Sequence, residues 1–243
     1  MQIVKSAFIF CKNVGLVVNY INPTMHMTKH TLWGCILCGI YVLLAFLVHN
    51  RILVSIDLET TTLLQQIIPR SADLPSSVLS LLGSVEITIL VLAALLLLAR
   101  PTVRVRLVLL FALVALLELQ GKTMIVQPPV PDALQRYVFA YGTPTGSIST
   151  EFSFPSGHSA RTSFLVATAI ALVAQSNTSP TRQRVLTALL LVAAAVMLVS
   201  RVYIGDHWLT DVIGGALIGV GLALFALPGE FIRPALPKHP ISR

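Results

Sequence analysis

The sequence predicts an all-α integral membrane protein, with six transmembrane helices in one bundle and both termini cytoplasmic. Three observations carry that prediction. Of the 243 residues, 55% are hydrophobic and only 11% are charged, whereas a soluble domain carries about 25% charged residues. The apolar residues fall into separate stretches close to the roughly 20 residues that a helix needs to cross a bilayer. Lys and Arg are distributed unevenly between the connecting segments, as the positive-inside bias requires.

Hydropathy, and what interrupts it, places the spans at Leu32–Val48, Ser77–Ala99, Leu107–Gly121, Gly157–Ala174, Leu186–Tyr203 and Leu209–Leu227. One bundle over residues 31–228 would then follow a cytoplasmic or interfacial segment, 1–30, and precede a cytoplasmic tail, 229–243. In the N-terminal segment the apolar run after Lys5 is broken by Lys12 and Asn13, with no small-residue cleavage site beyond. That pattern favours a short interfacial helix over a signal peptide. Cys35 and Cys38 lie inside the first span and Cys11 before it, so packing is expected of them, not metal, redox chemistry or a disulfide.

Six spans put both ends on one side, together with Lys5, Lys12, Lys29, Arg100, Arg104, Arg106, Arg182, Arg184, Arg233, Lys238 and Arg243. The far side holds Arg51, Arg70, Lys122, Arg136, Arg161 and Arg201. Eleven of 17 cations thus mark the cytoplasmic side. The acids Asp57, Glu59, Asp73, Asp132, Glu151, Asp206 and Asp211 fall on the far side, and Glu230 on the near one. The net charge of +7 is therefore topology, and no nucleic-acid partner is expected.

Three polar clusters lie at the far-side ends of spans. The first is Lys122 with the prolines at 128, 129 and 131, the second is "FSFPSGHSAR" from Phe152 to Arg161, and the third is "SRVYIGDHWLTD" from Ser200 to Asp211. Spans three to six end on one membrane face, so these clusters are expected to share a pocket. Charges at such depth are costly unless paired or functional.

His207 and Asp211 are four apart at a helix start and therefore share a face. A carboxylate on one ring nitrogen fixes the tautomer and leaves the other nitrogen as base or nucleophile; a capping Asp beside a solvated His explains the pair equally well. Pro155, Ser156 and Gly157 turn into a helix whose amides make an anion site, with His158 in its first turn. An ordinary serine N-cap is the plainer alternative. Arg201 offers a forked donor suited to phosphate oxygens and Lys122 a point charge, although interfacial cations often only snorkel to head groups. Taken together, two histidines, a carboxylate, two cations and an anion nest point to phosphoryl transfer without metal.

In order, Lys122, "PSGH" at 155–158, and Ser200–Arg201 followed by five residues, His207, three residues and Asp211 resemble the membrane branch of the type 2 phosphatidic acid phosphatase superfamily. "SLLGS" at 80–84 is similar to a span-two feature of many members, and the resemblance covers roughly Asp57 to Leu227. It implies that His207 is the nucleophile forming a phosphohistidine, that Asp211 orients it, and that His158 protonates the leaving oxygen. It also implies that Lys122, Ser156, the Gly157 amide and Arg201 hold the phosphate, and that no metal or other cofactor takes part.

The first motif departs from the family. One or two arginines beside prolines are expected five to seven residues after the lysine, and those places hold Gln127, Pro128, Pro129 and Val130. Arg136, on a proline-stiffened loop, and Arg161, one turn after His158, are the candidate replacements. The loop argument favours Arg136, and pairing of either with Asp132 or Glu151 is the structural alternative. Glu86 and Glu118, isolated acids within spans two and three, are left outside the site.

Tyr137, Phe139 and Tyr141 are expected either to form a lip for a lipid or to anchor their loop at head-group level. Ile52–Pro69 reads as an amphipathic helix on the far surface. The resulting expectation is a multi-pass cell-membrane phosphatase whose site faces the extracytoplasmic side. Its partners are membrane lipid and a lipid phosphate or diphosphate substrate, such as phosphatidic acid, phosphatidylglycerol phosphate or a polyprenyl diphosphate. A lipid-linked phosphotransferase on the same fold, and a lipid transporter or binding protein without the chemistry, are the alternatives.

Overall fold

The computed structural model describes residues 28–136 and 151–227. The expectations for the N-terminal segment before Thr28, for the aromatics Tyr137, Phe139 and Tyr141, and for the tail beyond Leu227 fall outside the described residues. Among those residues the chain forms eight α-helices and no strand: α1 (Lys29–His49), α2 (Val54–Ile67), α3 (Asp73–Ser80), α4 (Val85–Leu98), α5 (Pro101–Met124), α6 (Gly157–Ala174), α7 (Pro180–Tyr203) and α8 (Leu209–Ala226).

Local sequence explains the helix starts. Thr28, Ser84, Ser156 and Ser179 each accept a hydrogen bond from a first-turn amide of the following helix, satisfying a donor that has no partner within the helix. α5 and α7 also begin with proline, where the missing N–H costs nothing. Between α3 and α4 a single 3-10 turn, Leu81–Gly83, bends the chain by 53°. The bend serves packing: a side chain on Gly83 would run into the Met197 methyl and the His158 ring.

Helices α1, α7 and α8 are each long and apolar enough to cross a membrane, and the bent pair from Arg70 to Leu98 passes as a fourth. α5 and α6 occupy the places of the other two expected spans. The protein is inverted relative to a soluble one. Leu43, Leu90, Leu97 and Leu189 point outward, while Arg161, Arg201, His207 and Asp211 are buried. Aliphatic side chains facing lipid and charges facing the interior are what a bilayer demands. The chain is thus an all-helical, multi-pass membrane protein. Cys38 is buried in the apolar core with Cys35 packed against it, consistent with a packing role.

The core of the bundle is α8, which packs most extensively against α6 and α1. Small residues permit that closeness. A side chain on Gly215 would strike the Ser156 carbonyl, and one on Gly219 the Ala160 carbonyl, so the i,i+4 glycines let the two helix backbones nearly touch. Gly214 makes room for the Phe154 ring. At the far end the Ser156 amide donates to the Asp211 carbonyl at 3.0 Å. The starts of α6 and α8, about fifty residues apart in sequence, are thereby fixed side by side.

α2 is the amphipathic helix expected at residues 52–69, and the contacts of its inner face locate it over the ends of α7 and α8. Gln65 donates to the carbonyls of Leu134 (2.7 Å) and Tyr203 (3.0 Å). Asp57, 2% exposed, accepts from the Thr210 amide at 2.9 Å, the Thr210 hydroxyl at 2.7 Å and Gln127 Nε2 at 3.0 Å. This carboxylate caps the α8 N-terminus from another helix, adding a favourable dipole interaction to three hydrogen bonds. Asp57→Ala leaves those donors buried without an acceptor and is expected to cost about 1–3 kcal/mol. A Tm in detergent equal to that of the wild type would refute this capping role.

Candidate active site

Each polar cluster of the sequence arrives here on a different helix end. α8 contributes the first. His207 precedes it in the loop 204–208, and Asp211 lies in its first turn. Asp211 Oδ2 is 3.3 Å from His207 Nδ1 and accepts from the Trp208 amide at 3.1 Å. The carboxylate is fully buried and held from both sides, so the imidazole has one orientation. With Nδ1 engaged, Nε2 is the ring's other nitrogen, and it lies 3.5 Å from Asp206 Oδ2. Burial, and then the charges of Arg201 and Lys122, hold the His207 imidazole well below its usual range. It is therefore neutral near pH 7, the form in which a nitrogen lone pair can attack.

The loop itself is built around Arg201 at the end of α7. The Arg201 carbonyl accepts from the amides of Asp206 (3.1 Å) and His207 (3.2 Å), and Gly205 takes a φ of 70° to complete the turn. That conformation is open to glycine at little cost, and a side chain there would also strike the Leu134 carbonyl. The Arg201 guanidinium, 1% exposed, pairs with Asp206 and donates to the Ser80 hydroxyl on α3. The charge is buried, and both bonds aim it at the end of the bundle where His207 sits.

α6 contributes His158 and Arg161. Ser156 acts as the helix N-cap. Its hydroxyl is fully buried and accepts from the Ser159 amide at 3.4 Å and the Ser159 hydroxyl at 3.1 Å. The plainer of the two readings of that serine is thus realised in the side chain. His158 packs on Gly83, at the bend between α3 and α4. Arg201, Arg161, Lys122 and His207 all lie near enough to act electrostatically on His158, and Arg201, Lys122 and Arg161 on His207.

The two candidate replacement arginines have different surroundings. Arg161 is buried, pairs with Glu118 at 2.6 Å and donates to the Gly83 carbonyl at 3.3 Å. Arg136 donates to the Gln65 carbonyl at 2.8 Å and to the Tyr203 hydroxyl at 3.3 Å, with its guanidinium 5.3 Å from the Tyr203 ring centroid. It fastens the loop to α2 and α7. Neither Asp132 nor Glu151 is the carboxylate that Arg161 engages.

Glu118, left outside the site on sequence grounds, is part of the cluster. It pairs with Lys122 at 3.1 Å as well as with Arg161, and its carboxylate lies against Gly157, where a side chain would collide with it. The i,i+4 spacing to Lys122 was a signal in the sequence; the bond to Arg161, across to α6, had none. Gln127, at a place where the family has arginine, is buried between Asp57 and Thr210. The proline run after it is tied to the loop that carries His207 by the Trp208 indole, which donates to the Pro128 carbonyl at 2.7 Å.

Among the described residues no group of three or more His, Cys, Asp or Glu is arranged to hold a metal ion. What the cluster can do is hold an anion between Lys122, Arg161, Arg201 and the α6 N-terminus, beside two imidazoles.

The comparisons with known proteins agree with this fold. The chain is similar in fold to a transmembrane PAP2-type phosphatidylglycerolphosphate phosphatase from Bacillus subtilis, with a TM-score of 0.62, 22% identity, and 79% of this chain and 93% of that one covered. It is also similar to LpxE of Aquifex aeolicus, with a TM-score of 0.54, 23% identity, and 71% and 94% covered. No curated protein matches it. Residues 105–233, more than half of the chain and including every motif residue from Lys122 to Asp211, match the PAP2 superfamily, and the chain belongs to that family.

Proposed function

We propose that this protein is a membrane lipid phosphatase that removes the terminal phosphate of a lipid phosphate or diphosphate, without metal, through a phosphohistidine on His207. The observation that carries the reading is the convergence of the His207–Asp211 pair, His158 and three cations around the start of α6. One of the two solved structures of similar fold adds weight: the Bacillus protein is named for phosphatidylglycerolphosphate, a lipid that ends in a phosphomonoester.

The chemistry follows from the placement. A terminal phosphate seats its non-bridging oxygens on Lys122, Arg201, Arg161 and the amides at Gly157, which stabilise the charge that spreads over them in the transition state. His207 Nε2 forms a bond to phosphorus as the bond to the lipid oxygen breaks. His158 gives that oxygen a proton. Asp211 stabilises the positive imidazole that has lost its lone pair. In the second half a water, losing a proton to His158, attacks the phosphorus and breaks the N–P bond, releasing inorganic phosphate and restoring both histidines. Ser156 contributes through the helix start that it caps.

The six-span topology with cytoplasmic termini rests on the charge asymmetry between loops and on the matching positions of the six expected spans and the helices α1, α3–α4 and α5 to α8. It puts the site at the extracytoplasmic face. There a head group enters between helix ends while its chains stay in lipid.

The test is phosphate release by purified protein in detergent with EDTA, across phosphatidic acid, phosphatidylglycerol phosphate and polyprenyl diphosphate. Release from at least one of them, undiminished by the chelator, is expected. Release that requires an alcohol acceptor would identify a phosphotransferase, and silence on every lipid phosphate would favour a transporter.

A further inference from the structure

The anion seat already holds an anion, which belongs to the protein. The Glu118 carboxylate contacts the three features that a phosphate would use: Lys122 Nζ at 3.1 Å, Arg161 Nη1 at 2.6 Å, and the first residue of α6, Gly157, against which it lies. The two ion-paired oxygens are different ones, Oε1 and Oε2, so the carboxylate bridges the two cations much as a phosphate would. We propose that Glu118 is a tethered competitor for the phosphate seat, and that it sets a charge threshold which admits terminal phosphates and rejects phosphodiesters. The inference rests on the phosphatase reading of the same site and names what that site selects.

The bilayer makes such selection necessary. Every phospholipid with an esterified head group carries a phosphodiester, and an open nest of cations at head-group depth would be filled by these groups at their very high local concentration. A phosphodiester has one negative charge and two non-bridging oxygens, no more than the carboxylate that it must displace. Glu118 also has the advantage of being attached, since an intramolecular partner competes at a high effective concentration. A terminal phosphate carries about −1.5 to −2 charges at pH 7 and three acceptor oxygens. It offers both cations a stronger partner, keeps an oxygen for Arg201, and displaces the carboxylate. Glu118 touches neither phosphorus nor the leaving oxygen in this scheme, so it is a specificity-determining residue and not a catalytic one.

The test compares the full chain in detergent with its Glu118→Gln variant, which keeps the size of the side chain and removes the charge. Binding of inorganic phosphate, followed by thermal shift, is expected to tighten about tenfold in the variant, the range of one charged hydrogen-bond partner. Hydrolysis of phosphatidic acid in mixed micelles is expected to become inhibitable by phosphatidylglycerol in the variant at about one tenth of the concentration needed for the wild type. If Glu118 merely orients Lys122 and Arg161, neither effect appears: phosphate binds more weakly, and phosphatidylglycerol inhibits no better than in the wild type. Phosphate binding equal to or weaker than that of the wild type therefore overturns the proposal, and unchanged inhibition by phosphatidylglycerol overturns the selectivity it assigns. Should the Gln variant fail to fold, Glu118→Asp, which draws the carboxylate back by one methylene, is expected to tighten phosphate binding in the same direction, and no tightening overturns the proposal. A wild type inactive on every lipid phosphate would defeat the phosphatase reading yet leave the phosphate-binding comparison standing.

Discussion

His207→Ala is expected to lower lipid phosphate hydrolysis by about a thousandfold or more, the scale seen when a nucleophile is removed from a unit that acts together. The reason is geometric. Asp211 holds Nδ1 at 3.3 Å from a fully buried carboxylate, so Nε2 is the nitrogen presented to the phosphate, and the carboxylate that the same loop puts beside it, Asp206, is paired with Arg201. In the variant the cations and the α6 amides still bind phosphate, so KM should change far less than kcat. A second readout separates this from a general loss of structure: wild-type protein quenched in alkali during turnover should carry acid-labile phosphate on protein, and the variant none. Turnover near that of the wild type would sink the phosphohistidine and point to direct attack by water. Asp211→Asn is expected to be milder in kcat, because it preserves the shape around the ring while losing the charge that stabilises the phosphorylated imidazole.

Much of this site was legible in the sequence because its motifs are local. A proline and a serine before a helix, or a histidine and a carboxylate four apart, hold their geometry wherever the helix goes. The span pattern was legible for a similar reason: α1, α7 and α8 begin within a few residues of, or overlap, the stretches that hydropathy picks out. What sequence could not supply was the partner of each lone charge. Glu118 and Arg161 are 43 positions apart, and Asp57 and Thr210 are 153 apart; only the packing of α5 on α6, and of α2 on α8, brings them together. The same holds for Gln127. At an arginine position of the family it reads as a missing cation, yet it is a buried donor to Asp57 and Thr210. An arginine in its place would put a further positive charge where the local donors already satisfy that carboxylate.

Arg161→Gln is expected to lower kcat/KM by about 100-fold, the effect of losing one preorganised donor to a developing anion, whereas Arg136→Gln should keep turnover near normal and lower the Tm. Both are arginines within reach of the prolines or of His158 in sequence, but the energetics of their surroundings differ. Arg136 spends its donors on the Gln65 carbonyl and the Tyr203 hydroxyl, and stacks at 5.3 Å over the Tyr203 ring. Those bonds fix a loop to two helices, and the stacking alone contributes about 0.5–2 kcal/mol; glutamine can keep a carbonyl contact but not the charge over the ring. Arg161 has one fixed partner, the Gly83 carbonyl, and one exchangeable partner, the Glu118 carboxylate. An exchangeable partner is what a substrate-binding cation requires, since its charge must be compensated when the seat is empty and available when a phosphate arrives. The loss in Arg161→Gln should therefore shrink when it is combined with Glu118→Gln, because the pair acts as a unit, while Arg136→Gln and Glu118→Gln should be additive. Measuring kcat/KM for the three single and two double variants in one detergent decides the matter. If Arg161→Gln turns over normally, Lys122 and Arg201 suffice for the phosphate and the arginine lost from the first motif has no successor; if Arg136→Gln is the inactive one, the loop closes over the site on substrate binding and the assignment of the two residues is reversed.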